Sequence, residues 1–277
     1  MKKLVLVLIL AVLANAGFIK KGIEAQQSGD HKKLVEIYEK ACEEDKKASG
    51  CYNLAVVYYE GTGGVAKDFV KAVNLYDRAC KMNFALACNN LAYMHESGQG
   101  VDQNFTKAAQ FYDKACKDNE GCTSLGLLYA NGAGVERDFK KAIELYTKAC
   151  NYEDMMGCNN LGYLYNQGNG VEKDYKKAKS FYEKACNGGI GMACDNLGYL
   201  YALAQGTSQN YEQAAKSFEK SCNLGYAKGC NDIAIMYAEG KGVKADNEKA
   251  KNFFKKSCDG GLVEACENAK ILEQLMK

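Results

Sequence analysis

The chain has 277 residues, 36 basic against 34 acidic side chains and nearly half apolar residues, so it is too apolar for a disordered protein and could hold one or two globular domains. Its near-neutral balance gives no charge-based case for binding nucleic acid or an acidic membrane, local patches aside. With two histidines and no C-x-x-C, zinc is a poor use for its fourteen cysteines.

Taken in order, Lys2 and Lys3 precede an apolar run from Leu4 to Leu13 and the small-x-small site Ala14-Asn15-Ala16. Residues 1–16 therefore read as a secretory signal peptide, the alternative being an uncleaved anchor helix. Residues 17 to 29 predict a first helix with Phe18, Ile19 and Ile23 inward, followed by a partner helix from Asp30.

From there one stretch recurs. Cys158 to Cys186 reads CNNLGYLYNQGNGVEKDYKKAKSFYEKAC; close copies start at Cys88 and Cys122, and looser ones at Cys51, Cys194 and Cys230. The step is about 36 residues, the mark of a solenoid whose units bury their apolar faces on one another. Each copy predicts helix, glycine loop, helix. The second helices start at Asp30, Asp68, Asn104, Asp138, Asp174, Asn210 and Asp246, all N-cap residues. In the helix after Asp138, Ala142, Leu145, Tyr146 and Ala149 form an apolar stripe; Lys140, Lys141, Glu144 and Lys148 face away.

A G-x-G-V loop joins the helices at Gly98/Gly100/Val101, Gly132/Gly134/Val135, Gly168/Gly170/Val171 and Gly240/Gly242/Val243. It reads as a left-handed turn rather than a phosphate cradle, because no strand precedes it. In the sixth unit Ala204 and Thr207 replace the first Gly and the Val, so that loop should differ locally. The junction from Cys116 to Cys122 is two residues short, so the stack should tighten there. Residues 17–262 thus make seven units, and 263–277 a closing cap helix.

The cysteines fall into seven pairs across the unit junctions: Cys42/Cys51, Cys80/Cys88, Cys116/Cys122, Cys150/Cys158, Cys186/Cys194, Cys222/Cys230 and Cys258/Cys266. Antiparallel helices joined by such short turns come within disulfide range. Each bridge would contribute about 2–3 kcal/mol by chain entropy.

The motifs A-C-N-N-L-G-Y-L-Y, G-x-G-V and D-Y-x-K-A-x-x-x-Y-x-K-A-C resemble those of the Sel-one-like repeat family, relatives of the tetratricopeptide repeats. The paired cysteines resemble the Helicobacter cysteine-rich protein group. The resemblance implies an all-α, right-handed α/α superhelical solenoid with first helices on the concave side, and export to the periplasm or medium. It also implies an activity reported for such proteins, penicillin binding or weak β-lactamase hydrolysis, or host interaction.

Counting from the cysteine of each first helix, positions 0, 3, 4 and 7 (Cys158, Leu161, Gly162, Tyr165) read as core. Positions 2 and 5 lie opposite and supply Asn53, Asn90, Tyr93, Asn160, Tyr163, Asn196, Tyr199 and Asp232. Amides pair with an extended backbone and tyrosines offer rigid contact area, so these residues are candidates for a concave groove that holds a peptide, protein or cell-wall fragment. The competing reading has each Asn bonding a neighbouring helix and each Tyr packed between units.

A catalytic reading has less behind it. Ser217 to Lys220 is an S-x-x-K, but S-D-N and K-T-G companions are missing and Ser217 occupies a position where Leu145, Phe181 and Phe253 stand in other units. His95 stands where Tyr58, Tyr129 and Tyr165 do, and reads as a core substitute for tyrosine. Asp102-Gln103-Asn104-Phe105-Thr106 contains an N-x-T glycosylation acceptor, although Asn104 also reads as a helix cap. No nucleophile, metal or cofactor is assigned. The sequence describes a monomeric exported scaffold that binds a peptide or protein ligand, with no nucleic-acid partner and no membrane attachment after signal cleavage; β-lactam binding rests on the resemblance alone.

Overall fold

The computed structural model describes residues 17–276; the signal-peptide reading of residues 1–16 lies outside them. Among the described residues there are fifteen α-helices, a single 3-10 turn and no strand. The described residues fall into two compact units that meet in sequence between Arg137 and Asp138.

The first unit holds α1 (Gly17–Gln27), α2 (His31–Glu43), α3 (Ala48–Glu60), α4 (Phe69–Lys81), α5 (Ala85–Ser97), α6 (Phe105–Cys116) and α7 (Cys122–Asn131). The second holds α8 (Phe139–Asn151), α9 (Met155–Gln167), α10 (Tyr175–Asn187), α11 (Gly191–Ala202), α12 (Tyr211–Asn223), α13 (Ala227–Glu239), α14 (Asn247–Asp259) and α15 (Val263–Leu275). This is the predicted alternation of first helices (odd numbers) and second helices (even numbers). In α1 only Ile19 of the three expected residues is fully buried; Phe18 and Ile23 are partly covered.

The second helices start where their caps predict. Asp30, Asp68, Asn104, Asp138, Asp174, Asn210 and Asp246 each accept a bond from the backbone N–H three residues on, satisfying one of the orphan donors of the first turn. The stripe of α8 is buried as expected, with Ala142, Leu145, Tyr146 and Ala149 inside.

First and second helices lock through a small residue opposite a ring. A Cβ grown further from Gly162 would press on the Tyr182 ring at 2.9 Å, and Gly198 faces Phe218 in the same way. Next to this contact, aromatic pairs recur: Tyr165 stacks on Phe181 at 5.7 Å and Tyr237 on Phe253 at 5.7 Å. His95 stacks on Phe111 at 5.5 Å, which makes it the tyrosine substitute expected. Burial holds its imidazole below the usual histidine pKa.

Within each compact unit, second helices are tied by a basic residue two places before the second-helix cysteine. Arg78 pairs with Glu43, Lys114 Nζ donates to the Cys80 carbonyl at 2.6 Å, and Lys184 Nζ to the Cys150 carbonyl at 2.8 Å. Lys220 reaches Asn187 Oδ1 at 2.8 Å. Each cation thus sits at the negative C-terminal end of the preceding second helix, where the backbone carbonyls lack partners.

In the loops, Gly98, Gly132, Gly168 and Gly240 are left-handed C-caps of their helices. The second glycine does something else. A Cβ on Gly100 would strike the Phe69 backbone, and one on Gly134 the Phe105 backbone, so these glycines are where a loop lies against the start of the preceding second helix. In the sixth unit α11 stops at Ala202, yet Ala204 still takes the left-handed conformation at φ 57°, so the change is confined to the helix end.

All seven cysteine pairs are disulfides, with Cα–Cα distances of 4.4 to 4.8 Å. The short junction keeps its bridge because α7 starts at Cys122 itself, behind a left-handed Gly121. The two missing residues come out of the first turn of that helix, which has 10 residues where α5 and α9 have 13.

The last bridge differs from the other six in burial. Cys266 is joined to Cys258 as predicted, but it is not a core residue like the other first-helix cysteines. Cys51, Cys88, Cys122, Cys158, Cys194 and Cys230 are buried, and each Sγ approaches the carbonyl of its own bridge partner. Cys266 is only partly buried, and its Sγ lies instead 3.8 Å from the Leu262 carbonyl at the start of α15. The physical reason is its place in the cap helix: among the described residues no helix after α15 packs over this junction.

Candidate functional site

At 100° per residue, the first-helix positions 2 and 5 share a face with position 1 and with the position two before the cysteine. In the second unit this face is Met156, Asn159, Asn160 and Tyr163 on α9; Met192, Asp195, Asn196 and Tyr199 on α11; Lys228, Asn231, Asp232 and Ile235 on α13; and Glu264, Glu267, Asn268 and Ile271 on α15. Side-chain bonds show that the rows adjoin. Asn196 Nδ2 donates to Asn159 Oδ1 at 3.3 Å, and Asn159 Nδ2 lies 3.8 Å from Met192 Sδ. Ile235 on α13 packs on a cluster shared with Ala265 and Ala269 of α15.

The predicted ladder is present, but less exposed than expected. Asn53, Asn90, Asn160 and Asn196 are half-buried, as are Tyr93 and Tyr199, and Asp232 is buried; Tyr163 is 50% exposed. The packing reading applies to two of the amides. Asn90 hydrogen bonds the hydroxyls of Tyr52 and Tyr76, and Asn160 that of Tyr146, whose burial pushes the phenol up to about 12. Each amide has up to four bonding positions, so one bond to a tyrosine leaves capacity at the surface.

Between α11 and α13 carboxylates and an amine replace the amide ladder. Lys228 Nζ lies 2.8 Å from Asp195 Oδ2, 3.4 Å from Asp232 Oδ2 and 4.1 Å from the centre of the Tyr199 ring. The Tyr199 hydroxyl donates to Asp232 Oδ2 at 2.6 Å. Asp195 is 2% exposed; that burial, with Asp232 beside it, pushes its carboxyl up to about 7 against the pull of Lys228. Burial by itself would depress Lys228, but its bond to Asp195 prevails and its ammonium is held above the usual lysine value.

Asp195, Lys228, Met156 and Met192 are missing from the sequence reading, although all recur at the same step and fall on the same side of the wheel. The signal was the wheel itself, applied to two more positions.

The catalytic candidates are otherwise engaged. Ser217 is buried and its hydroxyl donates to the Gln213 carbonyl at 2.8 Å, while Lys220 is turned to Asn187. No base stands beside a hydroxyl here, so the S-x-x-K provides no activated nucleophile. Asn104 caps α6 through the Lys107 N–H at 2.9 Å.

Fold and face together define a disulfide-stapled α/α repeat scaffold, a class that offers extended binding surfaces. The Sel1 repeat pattern matches residues 48–84, 85–120, 119–151, 156–190, 191–226 and 227–262, and the chain belongs to the Sel1 repeat family. Cys266 falls just beyond the last of these matches, so the seventh bridge ties the final matched repeat to the cap helix. A protective antigen present in uropathogenic Escherichia coli strains, displaying an SLR fold, is 28% identical with a TM-score of 0.79, over 87% of this chain and 52% of that one. Helicobacter pylori cysteine rich protein B is 32% identical over 49% of this chain and 98% of its own, with a TM-score of 0.40. Cytochrome c oxidase assembly factor 7A of Xenopus laevis is 35% identical over 23% of this chain, a match spanning about a quarter (27%) of that protein.

Proposed function

We propose that the chain is an exported scaffold that binds an extended peptide or protein segment along its first-helix face. The observation that carries this is the row of partly buried amides, Asn160 and Asn196, beside Tyr163, which is 50% exposed where its counterparts Tyr93 and Tyr199 are half-buried. Amides fixed by a bond on one side and open on the other suit a peptide backbone, which offers a donor and an acceptor in alternation. Asn53, Asn90 and Tyr93 carry the same residue types in the first unit. Seven disulfides fit an oxidising, extracytoplasmic compartment, as expected for a chain whose N-terminal segment reads as a cleaved signal peptide. No helix among the described residues is long and apolar enough to cross a membrane.

A photo-crosslinking side chain placed at Tyr163, with a control at exposed Lys176, tests the reading in oxidised protein exposed to native extracytoplasmic extract. Adducts at 163 that are lost in an Asn160→Ala, Asn196→Ala background are the expected result. Equal labelling at both positions, unchanged by the alanines, overturns it.

A further inference from the structure

The face of the second unit changes character along the repeats, and the change selects a ligand. On α9 and α11 the position two before the cysteine is methionine, 39% exposed at Met156 and 41% at Met192, and one turn beyond each amide stands a tyrosine. Spaced i, i+4 and i+7, Met156, Asn160 and Tyr163 form one row and Met192, Asn196 and Tyr199 the next. Methionine adapts its shape and tyrosine offers flat contact area, so these rows suit apolar side chains.

On α13 and α15 the same positions carry charge. Lys228 is the single cation on the face there, and it is already held by Asp195, Asp232 and the Tyr199 ring. Beyond it stand exposed Glu264 and Glu267. Lys270 lies about a third of a turn off this face. Three carboxylates on α13 and α15, Asp232, Glu264 and Glu267, against one engaged ammonium leave this end acidic. Beneath this end the buried oxygens Asp195 Oδ1 and Asn231 Oδ1 have no hydrogen-bond donor.

We propose that this face selects an extended peptide with apolar side chains over α9 and α11 and a basic residue over α13 and α15. The proposal deepens the peptide-binding reading above and rests on it. Packed helices lie about 8–10 Å apart and an extended peptide advances about 3.3 Å per residue, so one repeat corresponds to about three residues. The preferred spacing is therefore apolar, apolar and basic at every third position.

The test uses fluorescein-labelled synthetic peptides of about 12 residues in a Gly-Ser background, titrated into the oxidised full chain. One carries Leu, Leu, Arg and Arg at every third position; others replace both Arg by Glu or both Leu by Ser, and each is also made in reversed order. The Leu–Arg peptide, in one of its two orders, should bind at least tenfold more tightly than its Glu and Ser counterparts. Glu264→Lys with Glu267→Lys, both exposed, should narrow or invert the Arg-over-Glu preference. Met156→Ser with Met192→Ser should erase the Leu-over-Ser preference. Circular dichroism confirms that each variant is folded. Equal binding of all peptides, or a preference for Glu, overturns the specificity while leaving the scaffold reading intact. Absence of binding by every peptide overturns the specificity and counts against peptide binding itself; a crosslink at Tyr163 that persists in that case assigns the face to a folded protein surface.

Discussion

The two glycines of one loop should respond differently to the same substitution, and that contrast tests the account of how repeats dock. Gly98 and Gly100 share a left-handed backbone, φ +70° and +71°. An alanine at either pays the steric cost of that region, about 1–2 kcal/mol. Their surroundings differ. A Cβ at Gly98 meets Gln103 Cβ at 3.4 Å, an ordinary contact, and the chain itself places Ala204 at the equivalent position. At Gly100 the Cβ would overlap the carbonyl of Phe69, a backbone atom in the first turn of α4 that cannot swing aside. Overpacking of this kind adds about 1–3 kcal/mol. Gly98→Ala should therefore cost about 1–2 kcal/mol and Gly100→Ala about 2–5 kcal/mol. Urea unfolding of the oxidised protein, followed by far-ultraviolet circular dichroism, measures both. Hydrogen exchange should in addition show faster opening of α4 and α5 in Gly100→Ala alone, since repeats are stabilised by their nearest neighbours. Equal losses, or a milder effect at Gly100, would refute the docking role of the second glycine.

The remaining predictions concern charge and cross-links. Asp195 has a raised pKa in the folded state, about 7, so the folded chain binds the proton more tightly than the unfolded one. Its contribution to stability is therefore greatest at low pH and falls as pH rises from the unfolded carboxylate range towards 7; Asp195→Asn should flatten that part of a stability-against-pH curve, and an unchanged curve would show that Asp195 does not titrate there. His95 is shifted the other way, by burial, so its contribution is present above the unfolded histidine value and lost as pH falls below it. His95→Tyr should remove that acid sensitivity and keep the stack on Phe111, with stability near neutral pH changed by less than about 1 kcal/mol. Replacing Cys186 and Cys194 together by serine should cost about 2–3 kcal/mol in chemical denaturation; a negligible loss would mean that helix packing alone holds that junction.

Most of the fold is written locally. Caps at Asp138 or Asp174, the α8 stripe and the cysteine spacing each depend on residues within a few turns, and recurrence every 36 residues or so exposes them again and again. First-helix starts are less legible: Lys47, Phe84, Ile190, Tyr226 and Leu262 sit at N-cap positions without a side-chain cap bond, because the disulfide and a left-handed residue such as Asn83 or Gly189 set the entry instead. Spacing alone also makes Cys266 look like its six counterparts; its partial exposure follows from what is stacked beyond it, which spacing does not record. The site is legible as a pattern but not as an energy. Asn90 and Asn160 turn towards tyrosine hydroxyls on other helices, and no sequence window shows which hydroxyl will be within reach. Of the group around Asp232, Asp195 and Lys228 are not legible in the sequence, because they look like ordinary surface charges until α11 and α13 are laid side by side.

Every sulfur bridge closes a ring of chain only 6 to 9 positions long, and the glycine loops fall outside all of these rings. A protease that cuts inside a ring, between Cys186 and Cys194 for instance, leaves both halves covalently attached, and the nick shows on a gel only after reductant is added. A cut at Gly168 to Gly170 has no such safeguard, and its two pieces part on a denaturing gel without reductant. In a milieu rich in peptidases, the junctions survive nicking and the loops decide the protein's lifetime.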